Sequence, residues 1–424
     1  MGFWSDPERR RWPLWGVMAL AFLLVNFHRV EINVVAEQLS RSFDATATEL
    51  GFLYAAFFYV YSPLQVPAGL LADRLGTRRI ATIGLVVMNV GVVWFALADS
   101  FVAGLLARGL LGLGGSVLYI STLRFCANWF RAEEFATMTG LTVAASGLGG
   151  VLAATPLALA VGVFGWRASL FALGVGGMVL AATVFALVRD TPRKAGLRDI
   201  DGAPDVGGPA SLATVRENTV RILKEAETWA LGGVLFCVLG ASFTVLGVWA
   251  IPYLVQVYDV GVTRAANYLL VANVGLMVGA PTVGWLSDRL GRRTELVAAS
   301  AAAFMLAYGL LALPIELPLW VVGVALFCST FMTGGVPLSF TVVKERHPTE
   351  ASATATGTIN AMGYFGVAVF PPVMGAVLDA FWTGETVEGA RIYTPQGYQW
   401  AFAIAAAAGF VALCCALWVH RRPK

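Results

Sequence analysis

The sequence predicts an all-α integral membrane protein in which twelve transmembrane helices form two pseudo-symmetric six-helix bundles. Hydrophobic residues make up 58% of the 424 residues and charged residues only 13%, and the mean hydropathy is +0.73. A soluble protein of this size carries more charge, so the bilayer is the expected solvent. Two copies of a short charged segment, half a chain apart, indicate an internal duplication.

Twelve apolar stretches are long enough to cross a bilayer, which takes about 20 helical residues. A long polar connection separates six of them from the other six. The sequence therefore predicts an N-terminal six-helix bundle at 1–188, a cytoplasmic linker at 189–227 and a C-terminal six-helix bundle at 228–424. The predicted spans are 14–36, 48–71, 80–98, 101–124, 135–160, 167–188, 228–255, 264–286, 294–313, 317–342, 353–379 and 397–419.

The basic residues orient these spans. Of the 29 Lys and Arg residues, 23 fall in segments predicted inside, four in segments predicted outside and two within spans. This asymmetry follows the positive-inside rule and places both termini in the cytoplasm, in a bacterial-type plasma (inner) membrane. Arg9, Arg10 and Arg11 precede the first apolar run, and no small-residue cleavage site follows it, so a retained span is expected.

The linker contains a short segment with helical periodicity. Leu212, Val215, Ile222 and Leu223 share one side at helical spacing. Two interpretations remain open: an amphipathic helix on the cytoplasmic face, or a solvated linker helix.

The sequence argues against several classes of protein. The net charge of +3 is too small to indicate nucleic-acid binding, and all five cysteines lie in apolar stretches typical of packing. No phosphate-binding loop, metal-ligand spacing or catalytic triad is evident. We therefore expect no enzyme, no cofactor, no metal site and no nucleic-acid partner.

The duplicated charged segment lies between spans two and three and again between spans eight and nine. Asp73 and Asp288 are 215 residues apart. A carboxylate at a helix end can face the positive end of a neighbouring helix or an arginine, and such contacts can form in one state and break in another. Both copies are therefore candidate conformational latches, although their arginines could also serve only to set the topology. The two copies consist of Gly69, Asp73, Arg74, Gly76, Arg78 and Arg79, and of Gly284, Asp288, Arg289, Gly291, Arg292 and Arg293.

Ionisable groups inside spans are costly and are therefore functional candidates. Arg29 in span one and Arg108 in span four each lie about seven residues from the predicted outer surface, which corresponds to ~10 Å of depth. Two guanidiniums at matched depth could hold a carboxylate or a phosphate. For Arg108 a structural role remains open, with backbone carbonyls or Glu31 as its partners.

Further polar side chains extend this candidate site. Asn26 and Asn33 fall on the same side of span one as Arg29, and Tyr253 and Asn360 could shape the cavity from the second half. If transport is coupled to protons, Glu31 and His28 are the carriers to expect, because burial raises a glutamate pKa and histidine titrates near neutral pH. The alternative is that Glu31 is a permanent ion-pair partner.

Through the charged turns and the twelve spans, the chain resembles the major facilitator superfamily. The pattern G-x-L-x-D-R-x-G-R-R between spans two and three is that family's signature, and it is echoed between spans eight and nine. The resemblance covers essentially the whole chain and implies alternation between inward-open and outward-open states around a cavity lined by spans one, four, seven and ten. The segment from Asn26 to Arg29, together with Arg108, is similar to the organic-anion branches. The Phe-His-Arg-Val segment also looks like bacterial amino-acid carriers.

The expected function is secondary active transport of a small organic anion, such as a carboxylate or a sugar acid, with proton symport left open. One alternative is a facilitator of amino acids or small peptides, in which Arg29 would take only the carboxylate. Another is a transporter-like membrane sensor with 189–227 as its output. The expected partners are the small-molecule substrate and the lipid bilayer, and the resemblance implies a monomer.

Overall fold

The structure is a computed structural model that describes residues 6–198, 200, 212–346, 349–387 and 390–422. Within these ranges the side chains of 66, 69, 70, 73, 136, 212–216, 218 and 349–353 lie outside the description. The predicted latch residues Gly69 and Asp73 are among these positions, so their contacts lie outside the description.

The described chain is nearly all helical, and the predicted order of twelve spans is confirmed. Eleven helices are long and apolar enough to cross a membrane, and span 2 is the twelfth because it is split into two shorter helices. The spans are, in order, Pro7–Phe43; Ala47–Tyr61 with Gln65–Leu75; Thr77–Leu97; Phe101–Gly115 with Leu118–Trp129; Phe135–Leu152 with Thr155–Phe164; Trp166–Leu187; Ala226–Thr244, Val245–Trp249 and Ala250–Tyr258; Val262–Leu290; Arg293–Leu311; Leu319–Thr333 with Leu338–Arg346; Thr349–Ala380; and Pro395–His420.

Several spans are interrupted near prolines, which lack the N–H that would continue the helix. Span 2 breaks around Pro63, span 5 just before Pro156 and span 10 just before Leu338, which follows Pro337. Span 7 contains a π-helical turn at Val245–Trp249, shortly before Pro252. Such breaks are tolerated inside membranes where neighbouring helices or side chains satisfy the freed backbone groups.

The linker contains the helix that its periodicity predicts, at Leu212–Leu223. Ile222 is fully buried, whereas Leu223 is 37% exposed. The indole of Trp229 at the start of span 7 donates to the Leu223 carbonyl at 2.8 Å. The linker helix is thus tied to the second half of the protein through its C-terminal end. The predicted side chains at Leu212 and Val215 lie outside the described residues.

Spans 2 and 11 pack closely and join the two halves. A Cβ placed on Gly51 would lie 2.4 Å from the Pro371 carbonyl oxygen, and one on Gly375 would lie 2.4 Å from that of Ala47. Only glycine allows two backbones to approach this closely. The two spans therefore meet backbone to backbone along the half of the membrane predicted to face outside.

Asp379, near the end of span 11, closes this contact at the predicted outer surface. Its carboxylate accepts the backbone N–H groups of Ala47 and Thr48 at 2.9 Å each, and also the Thr48 hydroxyl. A carboxylate at a helix N-terminus satisfies N–H groups that have no partner within the helix and interacts favourably with its dipole. Because this cap comes from the opposite half, separation of spans 2 and 11 must uncover the start of span 2.

A β-hairpin that the sequence analysis did not predict covers the same side. Strand β1 (Trp382–Val387) pairs antiparallel with β2 (Ala390–Tyr393) between spans 11 and 12. Gln256 at the end of span 7 donates to the Arg391 carbonyl and accepts from the Tyr393 N–H, both at 3.1 Å. The β-branched and aromatic residues of 382–393, which fall on both sides of Gly389, were the available signal.

We expect Asp379→Asn to loosen the closure between spans 2 and 11, because the amide loses charge-assisted hydrogen bonds worth about 1.5–3 kcal/mol each. The reporter is Ser62→Cys in a background without native cysteines; Ser62 is 3% exposed and donates to the Ala361 carbonyl across the halves. A membrane-impermeant maleimide added from the outer side should label this cysteine several-fold faster in Asp379→Asn.

The matched control is Glu385→Gln, which removes a carboxylate from the exposed hairpin without touching span 2. Equal labelling rates in the Asp379 variant and its parent would show that this carboxylate does not hold the halves together.

Candidate functional site

Arg29 lies at the plane where the two halves meet, inside a cage of aromatic rings. Its guanidinium carbon lies 4.5 Å from the centroid of the Tyr61 ring and 4.9 Å from that of Tyr364, with Phe57 at 5.6 Å and Phe58 at 6.0 Å. Three of these rings come from span 2, and Tyr364 comes from span 11. The residue is only 3% exposed, so this cage encloses a charge in the interior of the membrane domain.

The cage leaves part of the guanidinium unpaired. Nη1 donates to the Tyr364 hydroxyl at 3.3 Å, whereas Nε and Nη2 are buried without a hydrogen-bond partner among the described residues. Nε–H and an Nη2–H lie on the same edge of the planar group, which is the edge that binds a carboxylate or phosphate through two parallel hydrogen bonds. Ring faces stabilise a cation by about 2 kcal/mol when it is desolvated, but they do not replace these acceptors.

Arg108 is also buried, but its charge is matched. Its Nη1 donates to Glu31 Oε1 at 3.1 Å and to the His28 carbonyl at 2.9 Å, and its Nε donates to the Leu53 carbonyl at 3.3 Å. Arg108 and Glu31 are both 0% exposed. The two arginines approach the same Phe57 ring, at 5.6 and 5.8 Å, yet only Arg108 has a carboxylate partner. The structure therefore places Arg108 in the arrangement left open as its structural alternative.

Glu31 links Arg108 to the histidine of span 1. Its second oxygen, Oε2, lies 2.6 Å from His28 Nδ1. His28 is 0% exposed, and its other ring nitrogen, Nε2, has no hydrogen-bond partner within the described part of the chain. The two proton-coupling candidates, His28 and Glu31, thus share one buried hydrogen bond. Arg108 lies beside them, and Glu31 is its carboxylate partner.

The side chain of Asn33 contacts span 7, whereas its spacing along span 1 predicts that it lies beside Arg29. Its side-chain amide donates to the Leu246 carbonyl and accepts the Ile251 N–H at 3.1 Å. These two backbone groups belong to the π-helical turn of span 7 and the residues that follow it. The Asn33 amide therefore fills a gap in the hydrogen-bond ladder of span 7 and joins spans 1 and 7, instead of pointing towards Arg29.

The remaining predicted residues divide between the cage and other contacts. Asn360 lies one helical turn before Tyr364 on span 11, and its amide approaches Gln65 Oε1 at 3.4 Å, so it reaches the edge of the cage. Asn26 donates to the Ser146 carbonyl of span 5 at 2.9 Å. Tyr253 is 5% exposed and packs against Tyr398 and Phe402 of span 12, away from the contacts of Arg29.

The sequence analysis did not predict the four aromatic residues of the cage or the side-chain amides of Gln65 and Asn273. Phe57, Phe58 and Tyr61 sit in an apolar run that reads as an ordinary span, although their spacing places them on neighbouring turns of one helix. Gln65 lies one turn beyond Tyr61, and its Nε2 is another buried donor without a partner among the described residues. Asn273 of span 8 lies close to Gly150, as does Asn26, so these amides meet where spans 1, 5 and 8 come together.

The second charged turn pairs within its own half. Arg293 lies 2.6 Å from Glu345 and 3.7 Å from Asp288, and Arg292 lies 3.4 Å from Glu295. Gly291 adopts φ = +67°, and the Arg289 guanidinium lies over the Trp285 ring. Gly284 has open space around it.

The first charged turn contacts the segment after span 6. The Arg78 N–H donates to Asp190 at 2.9 Å, and the Arg78 side chain lies against the Phe185 ring. Gly76 adopts φ = +79°, and Arg74 and Arg79 are exposed. These contacts also lie within one half, so the latch role of both turns stays a prediction.

Comparison with known proteins gives consistent matches. A family model described as Major Facilitator Superfamily matches residues 14–371 and 274–424. The chain is 26% identical over 285 residues to a probable sulfoacetate transporter of Cupriavidus necator, a match that covers 66% of this chain and 65% of that protein, slightly under two thirds of its length. It is 23% identical over 409 residues to a probable hexose phosphate transport protein of Chlamydia trachomatis, with 90% and 89% covered.

A third relative is named as a sensor and not as a transporter. The membrane sensor protein UhpC of Salmonella typhimurium is 27% identical over 388 residues, with 86% of this chain and 85% of that protein covered. Among solved structures, a bacterial homologue of the human lysosomal transporter Spinster, in an inward-facing and unoccupied conformation, superposes with a TM-score of 0.72 at 18% identity and covers 98% of this chain and 99% of its own. That likeness concerns the fold. With a family model matched across the chain, this multi-pass membrane protein belongs to the major facilitator superfamily, as a transporter of small solutes and not an enzyme.

Proposed function

We propose that this protein is a secondary active transporter that moves a small organic anion, such as a carboxylate or sugar acid, by alternating access. The observation that carries the proposal is one edge of the Arg29 guanidinium, whose Nε and Nη2 are buried without acceptors among the described residues. Arg29 is the principal binding residue, because a carboxylate or phosphate would complete both hydrogen bonds.

The surroundings of Arg29 favour an anion over a neutral or cationic solute. Its unpaired atoms are donors, and so is the unpaired Nε2 of Gln65 one turn beyond Tyr61. Leaving a buried charge without its partner costs about 3–5 kcal/mol. A bound anion would offset that cost, which gives the site a physical preference for negative charge.

The position of the cage suits alternating access. Arg29 and Tyr61 belong to the first half and Tyr364 to the second, so a solute bound to Arg29 would contact both halves. Asn360 and Gln65 extend the same seam. We propose that substrate enters when spans 2 and 11 part and that the cage closes around it.

The relatives support an anion at the level of chemical class. The names of two of them specify sulfoacetate and hexose phosphate, both of which are anionic. Their acidic groups differ, so this support extends to a negative charge and not to one substrate.

We expect a small anion to stabilise the purified wild-type protein and Arg29→Gln to abolish that effect. A ligand that binds the native state at 100 times its Kd adds about 2.7 kcal/mol to the free energy of unfolding. The measurement is a thermal-shift panel of carboxylates, sugar acids, phosphate esters, sulfonates, amino acids and dipeptides, followed by Kd determination for any binder.

Arg41→Gln is the matched control, because it removes an arginine from the same span that is paired with Glu37. Arg29→Lys should bind the anion more weakly than wild type, since lysine lacks the two-pronged edge. An anion response that is unchanged in Arg29→Gln would remove Arg29 from the binding site.

We further propose that Glu31 and His28 couple transport to protons. Protonation of Glu31 would remove the negative charge that pairs with Arg108, and the His28–Glu31 hydrogen bond at 2.6 Å offers a short path for that proton. The rearrangement would take place within two residues of Arg29. Substrate binding and protonation could therefore influence each other.

Glu31→Gln and His28→Gln should lose accumulation driven by a pH gradient in proteoliposomes while retaining exchange of internal for external substrate. Exchange shows that the variant is folded and binds substrate, which matters because Glu31→Gln leaves Arg108 without its carboxylate. Gradient-driven accumulation at the wild-type level in both variants would contradict this role.

Two alternatives remain testable with the same preparation. If the panel yields only amino acids or small peptides, the protein is a facilitator in which Arg29 takes the carboxylate alone. The similarity to a membrane sensor favours the sensor alternative, which predicts saturable binding without flux across vesicles.

We propose a plasma-membrane location with both termini in the cytoplasm, supported by the distribution of lysine and arginine along the chain. We also propose that the protein acts as a monomer. Reporter fusions at the C-terminus and mass measurement in detergent test the two statements separately.

A further inference from the structure

A second cationic cavity lies on the predicted cytoplasmic side of the first half, remote from Arg29 in the chain. It has a volume of about 650 Å³ and is bounded by the turn between spans 2 and 3, the end of span 4 and the segment after span 6. Its cationic lining residues are Arg74, Arg78, Arg79, Arg124, Arg189 and Lys194.

The walls of this cavity are fixed by hydrogen bonds around Asp190. Its carboxylate accepts the Arg78 N–H at 2.9 Å and the Lys194 ammonium at 2.8 Å. Its backbone carbonyl accepts from Asn128 of span 4 at 2.9 Å. A Cβ on Gly76 would lie 2.7 Å from the Asp190 carboxylate, so the turn can approach only because residue 76 is glycine. The cavity is therefore preformed.

The cations of the cavity outnumber its acids. Among its described lining residues there are six cations and one carboxylate, Asp190. Arg189 uses its Nη1 on the Ala186 and Val188 carbonyls at 2.9 Å, and Arg78 uses its Nε on the Phe185 carbonyl at 2.7 Å, so both are held in place without losing charge. Cations therefore exceed carboxylates by five among the described residues that line this space.

Two observations indicate that this space stabilises negative charge. Burial alone would raise the pKa of the Asp190 carboxyl, but the hydrogen bonds from Lys194 and the Arg78 backbone hold that pKa below its ordinary value. Span 3 also begins here, so its N-terminal N–H groups and dipole point into the cavity. The Thr77 hydroxyl, at its first position, is buried without a partner among the described residues.

Topology alone does not account for this arrangement. Basic residues near the ends of spans orient a membrane protein, but orientation requires neither a cavity nor an excess of charge within one. The second charged turn provides an internal comparison, because its Arg292 and Arg293 pair with Asp288, Glu295 and Glu345. Among the described side chains, which do not include Asp73, the second turn lies beside three carboxylates and the first beside one, Asp190.

We propose that this cavity binds a phosphate-bearing anion, either the headgroup of an anionic phospholipid of the inner leaflet or a soluble phosphate compound. Arg74 and Arg79 would contact the phosphate, because both are exposed lining residues whose side chains have no other role in the described structure. Arg124 and Lys194 would hold the remainder of the ligand.

The test uses the full-length protein in detergent and phosphate-free buffer. The probes are short-chain phosphatidylglycerol, short-chain phosphatidylcholine and inorganic pyrophosphate, and binding is measured by native mass spectrometry and by thermal shift. We expect phosphatidylglycerol or pyrophosphate to bind wild type, and Arg74→Gln/Arg79→Gln to weaken that binding at least tenfold. Binding of phosphatidylglycerol alone identifies a lipid, whereas equal binding of pyrophosphate identifies a soluble phosphate.

Arg289→Gln/Arg292→Gln is the matched control, since it removes two arginines from the second copy of the turn. The control should bind the probe like wild type, and Arg29→Gln should keep the part of the binding that Arg74→Gln/Arg79→Gln loses, which separates this cavity from the transport site. The proposal is overturned if neither anion binds wild type, if the Arg74/Arg79 variant binds as wild type does, or if the control loses as much affinity.

Discussion

A buried polar group in a membrane domain must find its partner within the protein, because the bilayer supplies none. Arg108 pairs with the Glu31 carboxylate and with the carbonyls of His28 and Leu53 inside the first half, and only its Nη2 lacks a partner among the described residues. Arg29 has no carboxylate among its described neighbours, which are ring faces and the hydroxyls of Tyr61 and Tyr364. The edge of the Arg29 guanidinium that lacks acceptors lies where the two halves touch. A solute that supplies those acceptors would therefore contact both halves. The proposed binding site and the proposed moving interface are therefore one place in the molecule.

The interface itself depends on close backbone contact and on caps supplied by the opposite half. Gly51 and Gly375 let spans 2 and 11 meet without side chains between them, and Asp379 caps the start of span 2 from span 11. Asn33 of span 1 similarly completes the backbone of span 7. Each of these contacts is favourable only while the halves are together. In the proposed alternating-access cycle, new contacts or solvation would have to offset their loss on opening, so small changes should shift the relative stability of the two states.

The two charged turns share a motif, but different residues surround them. Gly76 and Gly291 both adopt positive φ and end a helix before an arginine-rich turn. The second turn lies beside three carboxylates, whereas the first lies beside Asp190 and a cationic cavity. The difference arises from residues outside the motif, on span 4 and after span 6.

The number, order and approximate limits of the spans could be predicted from the sequence, because apolar length and backbone hydrogen bonding within a helix are local properties. It also pointed to Arg29 and Arg108 as costly buried charges. It could not assign their different partners, since Tyr364 is 335 residues from Arg29 and Glu31 is 77 residues from Arg108. The cage aromatics resembled ordinary membrane-facing residues, and Asn33 resembled a cavity residue until span 7 came to lie beside it. These contacts follow from the tertiary structure, because the partner of a buried polar group depends on which distant helices pack together.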